Sequence, residues 1–72
     1  MKIKIVGSEK DFPKVKFNRW LRENAGLSIG GAKTYVDKIL AEEEVIIDIP
    51  ELSKAEIEND LTLIKLIFEI RD

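Results

Sequence analysis

The segment Asn24–Thr34, NAGLSIGGAKT, comes closest to a reactive motif. Gly26, four further residues and then Gly31-Ala32-Lys33-Thr34 miss by one residue the P-loop spacing, in which glycine-rich backbone and an adjacent lysine cradle phosphates. A P-loop needs a strand before its glycines and a lysine directly after the last one. Here the preceding residues carry a helical pattern, Ala32 separates Gly31 from Lys33, and no second acidic motif stands ready to hold Mg²⁺. The stretch therefore reads as a tight corner between two helices. The chain contains no histidine and no cysteine, so the usual general base, metal ligand and activated nucleophile are all missing. We expect no enzyme, no cofactor and no metal site. Glu42-Glu43-Glu44 is a dense run of carboxylates, but consecutive side chains at a helix end diverge and face water.

The basic residues offer a different chemistry. Lys16, Arg19 and Arg22 recur every three residues and are expected on one flank of a helix, with Lys33 extending the patch across the corner. Such a patch binds phosphates or an acidic protein surface, or it is an ordinary solvated helix face. Net charge is only −2, yet residues 1–38 carry a balance of +5 and residues 39–72 a balance of −7. One basic and one acidic surface would follow if the two halves face differently.

These residues need elements to position them. Seventy-two residues, 44% hydrophobic and 36% charged, make one globular domain over residues 1–72, with no room for a second core. No apolar run reaches the length of a membrane span. The lack of cysteine makes a cytoplasmic location the default expectation. Lys2-Ile3-Lys4-Ile5-Val6 alternates as a half-buried strand does, with Gly7 and Ser8 ending it. Asp11 is expected to cap a helix over Pro13–Asn24 with Phe17, Trp20 and Leu21 inward and Val15 flanking. After Ala25-Gly26, Ser28 caps a second helix whose stripe is Ile29, Ala32, Val36, Ile39 and Leu40. Gly30 and Gly31 in its first turn point either to close packing or to an uncluttered helix N-terminus open to a partner. Val45–Ile49 reads as a strand closed by Pro50. Ser53 and Glu56 form a capping box for a third helix with Ile57 and Leu61 inward. Leu63–Ile70, LIKLIFEI, reads as a buried third strand. The order β-α-α-β-α-β predicts an α+β fold in two layers, a three-stranded sheet covered by helices on one face. With a strand at each end, the domain is expected to be whole.

Lys14–Lys38, KVKFNRWLRENAGLSIGGAKTYVDK, resembles the C-terminal domain of the bacterial large-subunit ribosomal stalk protein (L seven/L twelve). The likeness rests on Lys14-Val15, Arg19, Arg22, Gly26-Leu27, Ile29, Ala32-Lys33 and Val36-Asp37 without a gap, and it extends weakly through SKAEIENDLTLIKLIFEI. It implies the same β-α-α-β-α-β order, a fold shared in general form with the ClpS proteolysis adaptor. It also implies that the two-helix corner docks translational GTPases such as elongation factors G and Tu. Carried over position by position, the partner-binding residues would be Val15, Lys16, Arg19, Arg22, Leu27, Ser28, Ile29 and Lys33. Gly30-Gly31 stand where the family usually has charged residues, and Lys16 and Trp20 where it has smaller ones. The sequence opens at Met1 directly in the first strand. It is therefore expected to be a stand-alone domain without the family's dimerisation segment and hinge.

A non-enzymatic protein-interaction module, docking a translational GTPase or ribosome-associated factor, is the expected function. Nucleic-acid binding through Lys14, Lys16, Arg19, Arg22 and Lys33 is the alternative; the pI near 5.2 and the few aromatic residues oppose it. A ClpS-like adaptor role lacks the Asn-Asp pair and histidine of that family's peptide pocket. The domain is expected to be a monomer or weak homo-oligomer with no membrane contact, since LIKLIFEI could add to a sheet edge of a second copy.

Overall fold

Alternation in the first strand sets the architecture. The computed structural model, which describes residues 1–71, places β1 (Lys2–Ser8) at the centre of a three-stranded sheet in the order β2-β1-β3. The outer strands β2 (Val45–Asp48) and β3 (Leu66–Arg71) both pair antiparallel to it. Directly paired residues share a face. Ile3 sits between Ile47 and Ile70, and Ile5 between Val45 and Phe68, which gives an apolar inner face. Lys2 and Lys4 point to the other, open face, where Lys4 Nζ lies 3.3 Å from Glu44 Oε2.

Three helices cover the inner face: α1 (Lys14–Asn24), α2 (Ile29–Leu40) and α3 (Lys54–Leu63). Phe17, Trp20 and Leu21 from α1, Ala32, Val36 and Ile39 from α2, and Ile57 and Leu61 from α3 close the core. No polar or charged residue among those described is buried. The side chains of α1 and α3 meet through one polar link, the Trp20 indole N–H donating to Asp60 Oδ2 at 2.9 Å. The α+β class and the element order agree with the sequence pattern, and both strand pairings are antiparallel. Among the described residues no helix is long and apolar enough to cross a membrane.

Several boundaries differ from expectation. β1 does not stop at Gly7; the register shifts between Ile5 and Gly7, so Val6 is bulged and the strand runs on to Ser8. An added Cβ at Gly7 would meet Ile67 Cδ1 at an ordinary 3.9 Å, so nothing there forces an end. Asp11 does not cap α1. It sits at φ 62, and Pro13 occupies the cap position with no side-chain hydrogen bond. LIKLIFEI is not one strand: Leu63 is the last residue of α3, Ile64 caps it, Lys65 turns at φ 66, and the strand starts at Leu66. That strand also lies at the sheet edge, with Ile67 52% exposed.

All three helices end on a residue with positive φ: Gly26 at 68, Glu42 at 62 and Lys65 at 66. At the end of α2 the Glu42 N–H donates to the Ile39 carbonyl at 3.0 Å and the Glu43 N–H to the Lys38 carbonyl at 2.9 Å, a Schellman closure built on a non-glycine residue. The left-handed conformation costs an L-residue about 1–2 kcal/mol, whereas glycine accepts it freely and loses more unfolded-chain entropy. Glu42→Gly should therefore stabilise the domain by about 0.5–1 kcal/mol in urea or thermal unfolding. Destabilisation would show that the Glu42 side chain contributes more than its backbone strain removes.

Candidate docking surface

The corner between α1 and α2 is built by two local devices. Gly26 at φ 68 reverses the chain after the Ala25 N–H has closed α1 on the Leu21 carbonyl. Ser28, in extended conformation, then accepts a hydrogen bond from the Gly31 N–H at 3.0 Å and starts α2. Leu27, between them, is half-buried against the core. The two helices pack side by side and leave a groove of about 370 Å³. Val15, Ile29, Val36 and Leu40 form its apolar lining, and Lys14, Asn18, Lys33 and Asp37 its polar one.

Most of that apolar lining is solvent-facing. Val15 is 81% exposed, Ile29 65% and Leu40 49%, while only Val36 reaches the core. Ile29 and Leu40 thus depart from the inward stripe expected for α2; Ala32, Val36 and Ile39 suffice to fill it. Among the described residues, neither Lys14 nor Lys33 has a carboxylate within salt-bridge distance. The groove therefore offers apolar contact with Lys14, Lys33 and Asp37 at its border.

The eight residues expected at the site do not all share it. Val15, Ile29 and Lys33 line the groove. Arg22 is exposed and lies four residues beyond Asn18 and seven beyond Val15, on the same helical row. Lys16 and Arg19 turn to the opposite flank, into a second depression shared with Trp20, Asp60 and Leu63. There Arg19 Nε lies 3.8 Å from Glu23 Oε1 on its own helix. The expected single basic flank is thus divided, because a spacing of three drifts around the helix by about 60° per step and the core contact of Trp20 fixes the rotation. Ser28 acts as a cap.

Sequence reasoning missed Lys14, Asn18, Val36, Asp37 and Leu40 as lining residues. The usable signal was the width of the α2 stripe, five apolar positions where a helix on one sheet needs fewer. Close packing does not explain both glycines. A Cβ added at Gly30 would meet nothing within 4 Å, whereas one at Gly31 would press on Ser28 Oγ at 3.3 Å. Comparison of the chain with protein-family models, curated proteins and solved structures finds no match.

The two glycines should respond differently to alanine. Gly30→Ala should stabilise the domain by up to about 1 kcal/mol, since it sits in a helix with open space around it. Gly31→Ala should gain less or destabilise, because the cap hydroxyl must give way. Thermal unfolding of the pair checks the order, and a reversed order would refute this account of the corner.

Proposed function

We propose that the chain is a non-enzymatic interaction module whose α1–α2 groove receives an apolar, acid-flanked segment of a protein partner. One observation carries the reading: Val15 and Ile29 stand exposed beside Lys14 and Lys33, which have no carboxylate partner among the described residues. Apolar side chains supply dry contact area, and the lysines steer encounter and orient an acidic rim. An amphipathic helix laid in the groove would use both. None of the groove's lining residues is aromatic, which favours a protein over stacked bases.

The resemblance of Lys14–Lys38 to the ribosomal stalk C-terminal domain names the first partner to test, a translational GTPase. Val15, Ile29 and Lys33 support it by lining one groove; Lys16 and Arg19, on the far flank, do not. A cytoplasmic location belongs to the same reading.

Amide NMR titration of the labelled chain with GTP-bound elongation factor G tests it. Shifts should centre on Val15, Asn18, Ile29 and Lys33 and spare Lys16, Arg19 and Leu63. Ile29→Asp should weaken binding by at least about tenfold, or about 1.4 kcal/mol, with little effect on stability because Ile29 is exposed. Lys14→Gln with Lys33→Gln should flatten the salt dependence. No shifts at near-millimolar partner would remove the GTPase, and shifts on the Lys16–Arg19 flank would remove the groove.

A further inference from the structure

The two edges of the sheet are finished differently. β2 is only four residues long, follows Glu42-Glu43-Glu44, carries Asp48 and is succeeded by Pro50. Short length, charge and proline are the usual means of blunting an edge. β3 is six residues long, Leu66-Ile67-Phe68-Glu69-Ile70-Arg71, with no proline and no bulge of its own; the bulged residue, Val6, lies on β1.

The ladder shows which backbone groups of β3 are free. The Ile49 N–H donates to the Met1 carbonyl at 2.9 Å, which continues the pairing of Ile3 with Ile47 and Ile5 with Val45. Alternation then turns the backbone groups of Ile3 and Ile5 toward β2 and those of Lys2 and Lys4 toward β3. Their partners Arg71 and Glu69 answer them, so the N–H and C=O of Phe68 and Ile70 point out of the sheet. The Glu9 N–H on the Lys65 carbonyl at 2.8 Å fits the same alternation. The side chains of Phe68 and Ile70 are apolar, lie on the inner face and are only half-buried. No inward-pointing charge guards this edge.

We infer that β3 is a self-pairing edge, which adds antiparallel to β3 of a second copy about a two-fold axis at Phe68. The inner-face residues Leu66, Phe68 and Ile70 are apolar in both reading directions, as an isologous contact requires. In this register Leu66 faces Ile70 of the second copy and Phe68 faces its own counterpart. Glu69 falls opposite Ile67. Sliding the copies so that Glu69 meets Glu69 would oppose like charges, which disfavours that register. Lys65, turned out of the strand at φ 66, bounds the overlap to about five residues per copy. So short an overlap falls well below the roughly 800 Å² per partner of a standard interface, so the dimer is weak and concentration-dependent.

Hydrogen exchange of the full chain from about 10 μM to about 1 mM, alongside sedimentation velocity, tests this. The amides of Phe68 and Ile70 should gain protection as dimer forms, by about tenfold where nine-tenths of the chain is paired. The outward amides of Ile46 and Asp48 on the blunted edge serve as the internal control and should not change. Ile70→Pro removes one outward N–H without touching the ladder to β1, and should abolish the dimer while the Glu69 amide stays protected. A chain that stays monomeric at about 1 mM overturns the inference and leaves the edge to an extended segment of another protein. A dimer whose protection falls on α1 and α2, or equally on both edges, overturns it as well.

Discussion

The fold depends on one contact: the apolar inner face of the sheet, led by Ile3 and Ile5, against Phe17, Leu21, Ala32, Ile57 and Leu61. All seven of these side chains are fully buried, and among the described residues nothing polar is buried with them. A domain of this size buries roughly 60% of its unfolded surface, so it has few apolar side chains to leave outside. Those left outside are therefore informative. Val15, Ile29 and Leu40 gather at the α1–α2 groove, Leu63 stands at the end of α3, and Ile46 and Ile67 lie on the open side of the sheet.

The same contact fixes how the charges are distributed. Once Phe17, Trp20 and Leu21 face the sheet, the rotation of α1 is set, and the cations on it must fall to either side. Lys14 and Arg22 go toward the Val15 row, Lys16 and Arg19 toward α3. A run of basic residues at constant spacing is thus split by the core beneath it. The Trp20–Asp60 hydrogen bond reinforces that rotation, since a buried indole N–H is costly to leave unpaired.

Periodicity made the element order, the two-layer class, the Ser28 cap and the Ser53–Glu56 capping box legible in the sequence, because each has a local chemical signature. The ends of α1 and α2 were legible, at Gly26 and at the Glu42-Glu43-Glu44 run, whereas the end of α3 was not. Gly26 announced its left-handed conformation; Lys65 adopts the same conformation with a side chain that gives no such sign. Lys65 lies inside an apolar run, so the α3–β3 boundary was read through as continuous strand. Alternation and a wide helical stripe also look alike when nothing distinguishes a residue needed by the core from one merely adjacent to it. That is why Leu40 was read as core and Lys14 was overlooked as a groove residue.

Core and corner are nearly independent in this domain. The exposed groove residues Val15 and Ile29 do little to hold the sheet and helices together, and a Cβ at Gly30 would meet nothing within 4 Å. The fold therefore rests on side chains such as Phe17, Leu21 and Ala32, whereas the proposed docking uses side chains the fold can do without. A core pattern can persist while the corner changes its partner, so likeness at core positions such as Ala32 and Val36 argues for architecture more than for partner. The residues that discriminate are the exposed ones. For this chain they are an aliphatic pair flanked by lysines, and the proposed docking role rests on that chemistry more than on the β-α-α-β-α-β order.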